Sequence, residues 1–331
     1  MLSGRLDEAL QELIGKQVLD AGNLAQRALS CLTIFPQPRM IVEVATAASG
    51  DAADGLGELV AAGVIAIEQD ELQRYALHSA VLDWSRGHSR IPNAELQAAQ
   101  MRTIKSYTDL VKKTDNYLAF LIGDFTNIAA LHSWQWNDDT RADLSDLALA
   151  CDRYLDVLGY WTLARKWATL AVQAMRVVSD SKSDKFRLSQ LHLMRAKYQF
   201  KQGDYESAKR SCWRSFELGH EVEDTLVEAA AMHLLGRICF LREDYSQAFE
   251  FFNRSLDLFD KTSDKRGKAV VLHEIAEVHR VQGRYEIALN LYQESYDIKR
   301  ELEDGLNARA TLFAIGQVKA AQGDTQGAYV S

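Results

Sequence analysis

Tyr205, Tyr245, Tyr285 and Thr325 stand 40 residues apart, and the same small and apolar residues recur around each of them. Every copy places a small residue (Ala196, Gly236, Ala276, Gly316), a turn centred on Gly203, Glu243, Gly283 or Gly323, and then an alanine (Ala208, Ala248, Ala288, Ala328). A unit of this length cannot bury its own apolar face, so the copies must stack and build one continuous core. With three prolines in 331 residues and an abundance of Ala, Leu, Glu, Gln and Arg, the stacked elements are expected to be helices. A hydrophobic content of 47% beside 25% charged residues gives the chain enough apolar material for more than one structural unit.

Small residues where two helices cross, glycine at the turn and an aromatic that plugs the next pair are the pattern of the tetratricopeptide repeat, which these units resemble. The resemblance implies a mainly all-α fold with an α-α superhelix over residues 141–331, in units of about 141–180, 185–224, 225–264 and 265–304 and an incomplete copy at 305–331. The first unit is irregular, with Asp152 where a small residue is expected and 44 residues between Trp161 and Tyr205, as suits the end of a stack. The last copy stops at Ser331, three residues after Ala328. An array that ends inside a repeat leaves apolar side chains uncovered, so Leu306 to Gly323 is expected to be its least protected helix in hydrogen exchange.

The first 90 residues read differently. Leu6, Leu10, Leu13 and Ile14 are spaced for a helix, and Asn23 opens a second stretch that Pro36 and Pro38 close. Met40 to Ala47 and Ala52 to Ala62 read as further helices; Val64 to Ile67 and Tyr75 to His78 read as a hairpin around a polar turn. Helices followed by a small hairpin are the element order of a winged helix, placed at 1–90. Gly87 to Asn93 is the linker candidate, and linking helices are expected over 91–140.

Three strings narrow the comparison: Leu32-Thr33-Ile34-Phe35-Pro36, Leu59-Val60-Ala61-Ala62-Gly63-Val64-Ile65, and Tyr75-Ala76-Leu77-His78. They resemble the winged-helix domain of the NB-ARC class of signal-transduction ATPases (STAND proteins). Asp124-Phe125-Thr126-Asn127-Ile128-Ala129-Ala130-Leu131-His132-Ser133-Trp134 is similar to the segment that opens the helical arm in bacterial members, and Gly159 to Trp167 resembles their first repeat turn. The resemblance implies a nucleotide-binding domain encoded before Met1. It also implies a role for His78, because a histidine at the end of the family's winged helix touches the β-phosphate of bound ADP. Here His78 is followed by Ser79 where the family has an aspartate, and the role needs a nucleotide domain supplied by another chain.

Charge and cysteine content exclude several classes. The net charge is −8, and residues 1–95 hold 7 Lys+Arg against 13 Asp+Glu, a balance of −6. The segment read as the third helix, with its lead-in, carries Asp51, Asp54 and Glu58 and no Lys or Arg, the wrong sign for phosphate contacts, so no nucleic acid is expected as partner. Cys31, Cys151, Cys212 and Cys239 form no CxxC pair, which argues against a zinc site and against a disulfide framework. The longest apolar stretch, Leu59 to Ile67, is too short for a bilayer, and Met1 to Gln17 lacks the order of a signal peptide; a cytoplasmic protein with no membrane partner is expected.

No residues with catalytic spacing stand out. A GxxxxGK[ST] string is absent, and the glycine cluster Gly50 to Gly57 carries two carboxylates and no lysine. His273-Glu274-Ile275-Ala276-Glu277-Val278-His279 puts its histidines six residues apart, about 240° around a helix, so it is no HExxH metal motif. No catalytic residue, metal or cofactor is therefore expected, and the chain reads as no enzyme. The repeat register places Lys197, His233, Arg237, His273, Glu277 and Arg280 on the face that lines the concave groove in tetratricopeptide arrays. With Phe200, Phe240 and Val281 they make a mixed-charge groove suited to a peptide or another protein. The expected function is the regulatory or sensor arm of a signal-transduction ATPase; the alternatives are a self-contained adaptor and a winged-helix transcription regulator.

Overall fold

The computed structural model describes residues 22–37, 39–62, 64–68, 73–77, 79–88, 92–113, 141–175 and 181–323, with isolated positions before 22 and Asn127. His78, Thr325, Ala328 and the helix read at Gly4 to Ile14, apart from Glu12 and Ile14, lie outside the described residues, as does all of the Asp124 to Trp134 string except Asn127. The chain divides into two compact units, Met1–Ala174 and Met175–Ser331.

In the first unit the order is α1 (Asn23–Leu32), β1 (Arg39–Ile41), α2 (Val42–Ser49), a 3-10 turn (Gly50–Ala52), α3 (Asp54–Ala61), β2 (Ile65–Glu68), β3 (Arg74–Leu77), α4 (Ser79–His88) and α5 (Asn93–Lys113). Helices α6 (Arg141–Val157) and α7 (Trp161–Met175) follow, α7 ending at the boundary. The expected hairpin is present, with Ile67 opposite Tyr75. A third strand joins it: β1 pairs antiparallel to β3, with Met40 opposite Tyr75, giving the order β1-β3-β2. The residues read as one helix from Met40 to Ala47 therefore begin as strand, because β3 offers an unpaired edge to the backbone there. The helix expected over Ala52 to Ala62 is likewise shortened by the 3-10 turn.

Leu29, Leu32, Phe35, Met40, Val44, Leu56, Leu59, Ile65 and Leu82 form the buried interior of this unit. Gly55 sets the α1–α3 crossing, since a Cβ there would sit 2.3 Å from the Leu24 backbone. Arg102 of α5 donates to the Ala47 and Ala48 carbonyls at 2.8 and 2.7 Å, satisfying the last turn of α2 with a cation. Asn127, the asparagine of the helical-arm string, accepts from the Gln37 N–H at 3.1 Å.

Among its described residues the second unit holds seven helices of nearly equal length: α8 (Lys182–Lys201), α9 (Tyr205–Val222), α10 (Thr225–Leu241), α11 (Tyr245–Thr262), α12 (Lys265–Val281), α13 (Tyr285–Glu301) and α14 (Gly305–Ala321). Each packs on the next, and α10 also touches both α8 and α12, so the first helices of the pairs form an inner layer. The turns repeat every 20 residues, not every 40. Gly203, Glu223, Glu243, Ser263, Gly283, Glu303 and Gly323 all have positive φ, between 55° and 85°. Glycine takes this conformation freely, whereas Glu and Ser are held in it by the helices on either side. Asp204, Asp224, Asp244, Asp264 and Asp304 come next and accept hydrogen bonds from backbone N–H groups of the following helix.

Pair crossings are as close as the small residues predict. A Cβ on Gly236 would lie 2.5 Å from the Phe252 ring, and Ala196, Ala208, Ala248, Ala276 and Ala288 are fully buried. The core runs as successive clusters along the helices: Met232, Leu235 and Ile238, then Phe252, Val271 and Val278, then Tyr292, Ile315 and Val318. All four cysteines are buried free thiols, and burial pushes Cys151 up to about 12. Among the described residues no helix is long and apolar enough to cross a membrane.

Candidate functional site

On each inner helix, five residues at spacings of four, three, four and three make one stripe. These are Phe186, Gln190, Leu193, Lys197 and Phe200 on α8, and Leu226, Ala230, His233, Arg237 and Phe240 on α10. Arg266, Val270, His273, Glu277 and Arg280 follow on α12, then Leu306, Ala310, Phe313, Gln317 and Ala320 on α14. None of the twenty is buried, although the residues between them are mostly core. All six groove residues read from the sequence fall on this stripe. The edge row of Phe186, Leu226, Arg266 and Leu306 escaped that reading, yet the same helical spacing carried one turn further reaches it.

The polar members do not stand apart. Arg237 lies over the Phe200 ring at 4.6 Å, and its Nε is 3.5 Å from Glu274 Oε1. His233 Nε2 is 3.6 Å from the same oxygen, longer than a hydrogen bond. Glu274 was not among the expected site residues, but it joins two of them across α10 and α12. Burial pushes its carboxyl up, while His233 and Arg237 outweigh that and hold it below the usual range. Lys197 Nζ sits 4.7 Å from the centre of the Tyr198 ring.

On α12 the groups close on themselves. Arg280 donates twice to Glu277 Oε2, at 3.0 and 2.7 Å, and the Tyr292 hydroxyl donates to Glu277 Oε1. The hydrogen bonds to Glu277 raise Arg280, and burial together with Glu277 pushes the Tyr292 phenol up. His273 Nδ1 is 3.2 Å from Thr311 Oγ1, and Lys299 donates to that hydroxyl at 2.8 Å. Burial first, then the Lys299 charge, lowers His273; burial lowers Lys299. His279 points away from this group, buried edge-on to Phe249 at 5.5 Å. The stripe thus presents accessible apolar side chains and fixed charge, and the groups described on it show no nucleophile–base pairing.

Helix pairs of this geometry, with period-20 turns and small-residue crossings, define a mainly α-helical protein whose second unit is a superhelical repeat array. The family model described as tetratricopeptide repeat matches residues 187–261 and 268–328. No curated protein matches the chain. Among solved structures, a signal-transduction ATPase with numerous domains from Pyrococcus horikoshii, which has a tetratricopeptide repeat sensor, is similar over 96% of this chain and 50% of its own, at 14% identity and a TM-score of 0.52. The apo form of RapI is similar over 75% of this chain and 66% of its own, at 13% identity and a TM-score of 0.53. The Rap conjugation gene regulator of plasmid pLS20, solved with the Phr peptide, is similar over 70% of this chain and 67% of its own, at 14% identity and a TM-score of 0.51. At such identities the likeness is one of fold, and this chain spans half the length of the Pyrococcus protein.

Proposed function

We propose that this chain is the non-catalytic sensor and regulatory arm of a signal-transduction ATPase, its repeat stripe binding a peptide or protein partner. The observation that carries this reading is the extent of the likeness to the Pyrococcus protein, which takes in 96% of the chain and therefore both of its units. The three-stranded sheet, with β1 between α1 and α2 and the β2–β3 hairpin after α3, supports reading residues 1–90 as a winged helix, and the order of the family-like strings supports the rest. In this reading the winged helix closes over a nucleotide domain supplied from outside these residues, with His78 turned to the nucleotide. A partner that prefers the open state shifts the equilibrium by its difference in affinity for the two states. The setting is cytoplasmic. Calorimetric titration of this chain with ATP is expected to show no binding, and micromolar affinity would overturn the assignment of nucleotide chemistry to another segment.

A second reading, a self-contained adaptor, draws support from the Rap regulator solved with its peptide, whose likeness takes in 70% of this chain without implying an ATPase. The upstream reading frame separates the two: a P-loop protein there favours the ATPase arm.

A further inference from the structure

Resting on the reading of the inner stripe as a peptide groove, we infer that its ligand is an acidic segment flanked by apolar side chains, seated across α8 and α10. The stripe carries four cations, Lys197, Arg237, Arg266 and Arg280, against one carboxylate, Glu277, a balance of +3 in a chain whose net charge is −8. Counting Glu274, which reaches the stripe from between α10 and α12, the balance is still +2. A face of opposite sign to the rest of its molecule attracts acidic partners and repels basic ones.

The charges on this face differ in how far they are committed. Glu277 and Arg280 neutralise each other through two hydrogen bonds to one carboxylate oxygen, and Tyr292 takes the other oxygen, so α12 presents a closed group. Arg237 is held differently. Phe200 covers one face of its guanidinium and Glu274 lies at Nε, while its terminal nitrogens have no hydrogen-bond partner among the described residues. Its side chain is 42% exposed. A guanidinium fixed in orientation with its fork open is the arrangement that takes a carboxylate in two parallel hydrogen bonds.

Apolar groups bracket that fork along the helix. Phe240 follows Arg237 by one turn, and Leu226 precedes it by eleven residues, about 16 Å along the axis. Leu226 is 48% exposed and its counterpart Phe186 on α8 is 42% exposed. Leu and Phe side chains left in water in the same row of adjacent helices gain by burial against a partner's apolar residues. A segment with carboxylates alone would leave them wet, and an apolar segment would leave the Arg237 donors unpaired on binding. An acidic centre with apolar flanks satisfies both.

The test is selection of random peptides displayed on phage against the full chain, followed by fluorescence polarisation with the enriched peptides. The expected peptides carry Asp or Glu between apolar residues, bind more weakly as salt rises, and lose on the order of tenfold affinity on Arg237→Gln. Leu226→Ser is expected to weaken the same peptides, and thermal melts show whether each variant remains folded. Enriched peptides that are basic or uncharged overturn the inference. So does affinity that falls with Leu226→Ser and not with Arg237→Gln or Lys197→Gln, an outcome that keeps the groove and removes the acidic preference. A selection that returns no peptide, or only peptides indifferent to all three substitutions in folded protein, overturns the groove reading and the inference with it.

Discussion

The Ser255 hydroxyl, fully buried on α11, donates to the Ala229 carbonyl on α10 at 2.8 Å. Ser215 to Ser189 and Ser295 to Ala269 repeat the bond at the same 26-residue separation, at 2.8 and 2.6 Å. One hydroxyl per pair therefore fixes how an outer helix sits on its inner partner. A buried side-chain hydrogen bond contributes about 1 kcal/mol net, so Ser255→Ala is expected to destabilise by that amount. Urea denaturation measures it, as a lower midpoint at unchanged slope. No change in midpoint would show that the bond is dispensable.

Gly267 and Phe259 form a size match across the α11–α12 turn: a Cβ on Gly267 would lie 2.4 Å from the ring. Gly267→Ala is expected to cost about 1–3 kcal/mol, more than the gain of up to about 1 kcal/mol that alanine brings to a helix. Gly305 has nothing within 4 Å of its Cβ position, and Gly305→Ala should stabilise by about 0.4–1 kcal/mol. The same substitution thus takes opposite signs at two helix starts 38 residues apart. Adding Phe259→Leu to Gly267→Ala should recover part of the loss, a coupling that a double-mutant cycle reads directly.

Arg284 occupies the one interhelix turn from α8 to α14 whose capping position lacks an aspartate. Its backbone, at φ −86° and ψ 61°, matches that of Asp204 at −84° and 67°, yet no side chain caps α13. Arg284→Asp is expected to stabilise the array by about 1 kcal/mol, and Asp244→Ala to destabilise it by about as much. Thermal melts of the two variants test the pair of signs together.

The 40-residue period made the second unit legible because each copy repeats the small residues that its crossings require. The finer period of 20 was half hidden. Four of the seven turns were read, and three of those hold glycine, whereas Glu223, Ser263 and Glu303 adopt the same left-handed backbone without announcing it. The run of aspartates at 204, 224, 244, 264 and 304 was the visible signal for them. Strand β1 was not legible, since three residues acquire strand character only from β3, more than thirty residues on in sequence. On the stripe, residue positions followed from spacing alone. That Glu277, Arg280 and Tyr292 bond one another depends on side-chain reach between helices, which no local pattern encodes.

Acid should weaken the array before the carboxylates titrate. His273 faces Thr311, the Tyr292 ring and the charges of Lys299, Arg280, Glu274 and Glu277; burial and then Lys299 hold it below its ordinary value. His279 is lowered by burial and by Arg284, and its Nδ1 has no partner among the described residues. A base whose folded value is depressed is protonated first in the unfolded chain, so stability falls as pH drops below about 6.5 toward the folded values. Glu206, Glu274 and Asp304 are held low, and their contributions are lost only further down, through and below the carboxylate range. The midpoint of urea unfolding is therefore expected to decline as pH falls below about 6.5, ahead of the carboxylate range. Replacing both histidines with glutamine should flatten that decline and leave the lower-pH loss in place. A decline of equal slope in the double variant would assign the proton uptake to other groups.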